Sequence, residues 1–181
     1  LARFRSRDLV VETKPDLTPV TEADREVEHE LRAMLGAERR RDAILGEEEG
    51  VSGTGERRWI VDPIDGTRNY SRGVPVWATL IALEERGTVT IGVVSAPALG
   101  RRWWAERGSG AFLNNRRIHV SKATKLADSL LSTGFPSRKR HLNVNIHFYH
   151  QLAMLTHGVR RGGAAAIDLA YVACGRLDGF W

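Results

Sequence analysis

Asp62 and Asp65 stand three residues apart in the stretch Trp59-Ile-Val-Asp-Pro-Ile-Asp-Gly-Thr-Arg-Asn-Tyr70, at the end of an apolar, β-branched run. Pro63 stiffens the turn that follows and Gly66 frees it. A strand that ends Asp-Pro-x-Asp-Gly-Thr aims both carboxylates and the Thr67 hydroxyl at one point. Hard divalent cations suit such a set, because Mg²⁺ takes oxygen ligands, keeps several waters and is held by one or two carboxylates plus phosphate. A second acidic cluster, Gly46-Glu47-Glu48-Glu49-Gly50, follows its own apolar run at 43–45. One loop and one strand can fold it back onto the first. Taken singly, each cluster is as well explained by a turn or a solvated acidic loop. Together they read as a metal-assisted phosphoryl-transfer site.

The elements that must position these groups are legible in outline. Thr21-Glu-Ala-Asp24 is a capping-box-like helix start, with Val27, Leu31, Met34 and Leu35 at helical spacing and Gly36 as a stop. From Trp59 to Val120 the pattern predicts an antiparallel meander, with strands at 76–83, 89–94, 101–105, 111–113 and 118–120. A Glu-Arg-Gly turn and Asn114-Asn115 link its strands. Beyond Ser121 the chain alternates: strand 129–133, helix 141–156 with Leu142, Ile146, Tyr149, Leu152 and Leu155, strand 159–161, helix 164–173, strand 177–181. Gly134-Phe-Pro136 and the basic run Arg138-Lys-Arg140 mark a lobe boundary or an exposed loop. The expectation is a layered α+β architecture with lobes at 1–125 and 126–181.

Composition narrows the function classes. A chain of 181 residues with 42% hydrophobic content can bury a core. No apolar run approaches the roughly 20 residues of a membrane helix. The single cysteine, Cys174, forms no internal disulfide and suits a reducing cytoplasm. Residues 1–100 carry 14 Lys+Arg against 18 Asp+Glu, and residues 101–181 carry 13 against 4. The acidic half holds the metal-ligand candidates, and the basic half can attract a phosphorylated substrate. Neither a nucleic-acid motif nor an aromatic–basic platform accompanies the basic charge, so the expected partner is a small phosphorylated metabolite rather than nucleic acid or membrane. The histidines His147 and His150 read as surface residues, Trp77, Trp103 and Trp104 as sheet packing, Cys174 as a small core residue, and Asp168 and Asp178 as capping or substrate-contact positions.

Glu47-Glu48 after Leu45-Gly46, followed by Asp62-Pro63-Ile64-Asp65-Gly66-Thr67, resembles the inositol monophosphatase superfamily of Mg²⁺-dependent phosphatases. Thr18-Pro-Val-Thr21-Glu-Ala-Asp24 and the segment from Gly162-Gly-Ala-Ala-Ala-Ile-Asp to Asp178-Gly-Phe-Trp181 extend the likeness over nearly the whole chain. The resemblance implies a sugar-phosphatase-type fold of alternating helix and sheet layers, and attack of a metal-activated water without a phosphoenzyme. It implies Mg²⁺ held by Glu47, by Asp62 between two metals, by the Ile64 carbonyl and by Asp65. Thr67 and Asp24 would orient the water, and Gly66 and Thr67 would offer N–H groups to phosphate. Lys14 would screen charge, and Asp65, Gly66, Thr67, Gly163, Ala164 and Ala165 would face the substrate. A homodimer is also implied.

The first half, including Arg72-Gly-Val-Pro-Val-Trp-Ala-Thr-Leu-Ile-Ala-Leu83, looks like the histidinol-phosphatase branch. The tail from Thr133-Gly-Phe-Pro136 looks more like bacterial inositol monophosphatases. L-histidinol phosphate is the preferred substrate on that balance, and inositol 1-phosphate is the alternative. In the family a third metal carboxylate follows the segment that ends here at Trp181. The expectation is therefore of cut ends and a crippled or inert isolated chain, with a non-catalytic binding protein as the competing class.

Overall fold

The computed structural model describes residues 3–6, 8–15, 18–135 and 144–181. Strands β1 (Val11–Thr13) and β2 (Pro19–Thr21) lead into helix α1 (Glu22–Glu38). Then come β3 (Ala43–Gly46), β4 (Gly50–Ser52), β5 (Arg57–Asp65), the short helix α2 (Thr67–Ser71), β6 (Ala78–Glu85) and β7 (Thr88–Ala96). β8 (Arg101–Glu106), β9 (Gly110–Leu113), β10 (Arg116–Arg117), β11 (Leu130–Ser132), α3 (Val144–Leu155), β12 (Gly158–Arg160), α4 (Ala165–Ala173) and β13 (Gly179–Phe180) complete the described chain.

The large sheet has eight strands in the order β10-β9-β8-β7-β6-β5-β3-β4. From β5 to β10 each strand pairs antiparallel with the next, the expected meander. Arg86 and Gly87, both at positive φ, form its β6–β7 turn. β3 pairs parallel with β5, so the two strands end at the same edge. The small sheet, β12-β11-β13, is parallel throughout, and α3 and α4 serve as its crossovers. Helix α4 touches β6 and β7 on one side and β13 on the other. Its Ile167 and Ala170, with Ala164 just before it, join Ala78, Ala96 and Trp103 in one buried cluster, so α4 packs onto the large sheet. This is the layered α+β arrangement that the alternating pattern predicts.

Several local expectations fail for physical reasons. Helix α1 runs through Gly36 to Glu38, with the Arg39 N–H closing it onto Leu35 O, so Gly36 is not the stop. Its deepest face is not the apolar one: Ala23, Asp24 and Glu28 are buried, while Met34 is 65% exposed. No strand forms at the expected 118–120, and the two-residue strand Arg116–Arg117 precedes it. On α3, Ile146, Tyr149 and Leu155 are exposed rather than packed. Trp77 lies before β6 rather than on it, packing against Phe4 and Tyr70 in a buried cluster that also holds Ile64 of β5. Cys174 is half-buried at the end of α4. Pro136, the basic run at 138–140 and Leu142 lie outside the described residues.

Candidate functional site

Strand register brings the acidic clusters together. Gly46 pairs with Val61 across the parallel β3–β5 ladder, and the Glu47 N–H donates to Val61 O at 3.2 Å. The residues that follow, Glu47 just past β3 and Asp62 on β5, therefore stand beside each other. Past Asp62 the β5–β6 register slips, because Asp62 faces Leu80 while Asp65 faces Ala78. In a regular strand, residues three apart point to opposite faces. The inserted residue turns Asp65 back, so both aspartates line one cleft. The Thr79 hydroxyl holds the bulge by donating to Pro63 O at 2.8 Å. Gly66 then takes φ 91° to start α2, and a Cβ there would lie 3.0 Å from both Val76 O and Ala164 Cβ. Glycine alone lets the turn press this closely against the Gly163-Ala164 segment.

The cleft has a volume of about 320 Å³. Glu47, Asp62, Ile64 and Asp65 line it together with Gly66 and Thr67, and Gly163, Ala164 and Ala165 form part of the same lining. Asp24 does not reach this wall. It is 1% exposed behind Thr67, where its Oδ2 accepts the Thr21 N–H at 2.8 Å and the Thr21 hydroxyl at 2.5 Å. The Thr67 hydroxyl lies 3.2 Å from Asp24 Oδ1 and 3.0 Å from Ile64 O, and its single hydrogen serves one of them at a time. Lys14 sits beside the acidic loop, 3.0 Å from Glu47 and 2.6 Å from Glu48.

The carboxylates strain one another electrostatically. Burial, then the charges of Glu47 and Asp65, push the Asp62 carboxyl up to about 8. Among the described residues its Oδ1 is buried without a hydrogen-bond partner. Burial also raises Asp65, against the pull of the Ala166 and Ala165 amides. Asp24 is raised by burial too, although the Thr21 and Thr67 bonds oppose it. Burial works against the Lys14 charge, but its bonds to Glu48 and Glu47 prevail and hold its pKa above the ordinary value. Among the described residues, no three or more His, Cys, Asp or Glu side chains stand as they would around a bound ion. The fit to a cation rests instead on the orphaned Asp62 oxygen, its acidic neighbours and the Ile64 carbonyl, an oxygen-only donor set suited to Mg²⁺.

Some residues were not singled out by sequence. Asn69 donates to Val76 O at 2.7 Å and to Gly162 O at 2.9 Å, tying α2 to the segment before α4. Arg68 and Arg161 line the cleft and are exposed. Glu28 lies buried one turn after Asp24, and that spacing was its sequence signal. Of the two aspartates that the sequence did offer as capping or substrate-contact positions, Asp168 lines the cleft, bonded to the Ser132 hydroxyl and the Gly162 N–H. Asp178 caps the small sheet by accepting the Leu130 N–H at 2.6 Å.

A sequence profile of the inositol monophosphatase family matches residues 1–181. A histidinol-phosphatase of Streptomyces coelicolor is 56% identical over 136 residues, covering 70% of this chain and 51% of its own length. An inositol-1-monophosphatase of Mesorhizobium japonicum is 45% identical over 166 residues, covering 90% of this chain and 62% of its own length. The solved structure of the Thermotoga maritima IMPase superposes with a TM-score of 0.90 at 37% identity, over 99% of this chain and 69% of that one. The chain thus spans between half and about two thirds of these relatives. No described helix is long and apolar enough to cross a membrane. Profile and superposition agree over the same stretch of sequence, and the chain belongs to the inositol monophosphatase family.

Proposed function

We propose that this chain carries the site of a Mg²⁺-dependent phosphomonoesterase acting on a small phosphorylated metabolite, with L-histidinol phosphate the preferred substrate. The observation that carries the reading is Asp62: a buried oxygen without a partner among the described residues, on a carboxyl driven up to about 8 by burial and by Glu47 and Asp65. In this reading Glu47, Asp62, the Ile64 carbonyl and Asp65 hold Mg²⁺, and 126–181 supplies the substrate wall through Gly163, Ala164 and Ala165. Bound there, Mg²⁺ supplies charge stabilisation to the phosphoryl oxygens and acidity to the attacking water.

The remaining steps belong to the chain's own groups. Thr67 donates its hydrogen to Asp24 and accepts one from the water, which fixes that water's lone pair toward phosphorus. As the water attacks in line, the new P–O bond forms while the ester P–O bond breaks. The water's proton passes through Thr67 to Asp24, and the departing alcohol oxygen takes up a proton from solvent. Backbone N–H groups of Gly66 and Thr67 receive the phosphate oxygens. Arg68 and Arg161, exposed on the cleft lining, draw the anion in.

Greater identity to the Streptomyces histidinol-phosphatase than to the Mesorhizobium inositol-1-monophosphatase supports histidinol phosphate, although over a shorter match. The test is phosphate release by this chain, with and without Mg²⁺, from histidinol phosphate and inositol 1-phosphate side by side. Of whatever release the chain retains, a higher kcat/KM for histidinol phosphate is expected, and the reverse ratio moves the assignment to inositol phosphate. Mg²⁺ binding that Asp62→Asn abolishes, without release from either substrate, favours the non-catalytic alternative. Absence of both binding and release overturns the metal reading.

A further inference from the structure

Glu28 is 0% exposed, yet it makes no contact with substrate space. Its carboxylate faces the loop between β3 and β4. Oε2 accepts the Glu48 N–H at 2.7 Å, and Oε1 accepts the Glu49 N–H at 2.9 Å and Arg32 Nε at 2.9 Å. Arg32 reaches onward to Gly50 O at 2.5 Å and the Ser52 hydroxyl at 2.8 Å. A buried carboxylate is tolerated only when its lone pairs are filled, and these donors fill them.

The donors share an origin. Two are backbone groups of the loop that presents Glu47, and the third is a guanidinium that grips the same loop further along. The site also reserves room for this carboxylate: a Cβ on Gly46 would stand 1.9 Å from Glu28 Oε1, so any side chain at residue 46 would displace it. Glu28 follows Asp24 by one turn of α1, and one rigid helix therefore fixes both Asp24 and the loop bearing Glu47. Lys14 holds the loop from its side chains. Glu28 holds it by the backbone, a grip that persists when Glu47 exchanges Lys14 for another cation.

We propose that Glu28 is a positioning residue that sets the divalent-cation affinity of the site by locking the Glu47 loop against Asp62. The proposal rests on the metal reading given above. The acidic partners of a ligand loop matter in this way because an unheld ligand must be ordered at the moment of binding.

The experiment is calorimetric titration of the 181-residue chain with Mg²⁺, with thermal melting of each variant alongside. Glu28→Gln is expected to raise the Mg²⁺ dissociation constant about 10- to 100-fold. Gly46→Ala, which keeps every charge but displaces the carboxylate, is expected to act in the same direction. Glu28→Asp, one methylene shorter, is expected to fall between parent and Glu28→Gln. A merely structural role predicts a lower melting temperature with the metal midpoint unchanged. Folded variants whose Mg²⁺ affinity matches the parent's overturn the proposal while leaving the metal reading intact. A parent chain that binds no Mg²⁺ overturns both. If Glu28→Gln does not fold, Gly46→Ala and Glu28→Asp carry the same readout.

Discussion

Asp65 Oδ2 accepts the backbone N–H of Ala166 at 2.7 Å, from a residue 101 positions further along the chain. The carboxylate that ends β5 is thus also the cap of α4, whose N-cap residue, Ala164, has no side chain able to serve. Asp65→Asn keeps an acceptor at that point, whereas Asp65→Ala leaves the amides bare. Urea unfolding in EDTA is expected to place Asp65→Ala about 1 kcal/mol below Asp65→Asn. Both variants are expected to lose Mg²⁺-dependent phosphate release, which separates the cap from the ligand.

A pH dependence follows from Asp62. Burial first, and the charges of Glu47 and Asp65 next, raise it from 3.8 to about 8. A carboxyl raised on folding favours the folded state most below its unfolded value, and that contribution drains away as pH rises through the folded one. Asp24, Glu48 and Asp65 are raised too and act with the same sign. The melting temperature in EDTA is therefore expected to fall from about pH 4 to about pH 8. Saturating Mg²⁺ is expected to reverse the fall, and Asp62→Asn to lessen it. A melting temperature that rises over this interval in EDTA would contradict the assignment.

Thr67 should divide its effects between binding and turnover. Thr67→Val keeps the shape and removes the hydroxyl that lies 3.2 Å from Asp24 Oδ1. A loss in kcat of about 100-fold or more is expected, with KM little changed. Thr67→Ser is expected to retain most of the rate. Combining Thr67→Val with Asp24→Asn should cost little beyond either change alone, since the two groups act as one relay.

Lys14 competes for the ligand loop. Its ammonium holds Glu47 and Glu48 at 3.0 and 2.6 Å. Lys14→Gln is expected to tighten Mg²⁺ binding, by on the order of 0.5–1 kcal/mol for a partly exposed pair. The sign is opposite to that expected for Glu28→Gln, and calorimetry reads both.

The sequence made the meander legible because its turns are marked by Gly, Asn and short spacing, and because alternation survives along β5 to β9. The acidic clusters were legible as chemistry because their residue types have few other uses in that order. What hid was anything set by long-range register. No local pattern announces the slip that turns Asp65 beside Asp62, or the Asn69 bridge to Gly162. Helix α1 misled because its apolar spacing pointed to Val27, Leu31, Met34 and Leu35, while its buried face holds Asp24 and Glu28. Propensity and periodicity assume that burial means apolar, and a buried acid fed by loop amides breaks that assumption. Helix α3 misled in the opposite sense, with apolar residues left exposed among the described neighbours.

The bond from Ala166 to Asp65 also constrains how the molecule acquires its site in time. Contacts between residues so far apart in sequence form slowly, because a long loop must close before they repay its entropy. The β3–β5 ladder can assemble from residues within a short span, but the cleft gains its opposite wall only when α4 docks. During synthesis the acidic turn emerges long before its partner amides and spends that interval without them. Exchange protection at the Ala165 and Ala166 amides would then mark the last stage of folding, and a fold trapped before it would hold the ligands without the substrate wall.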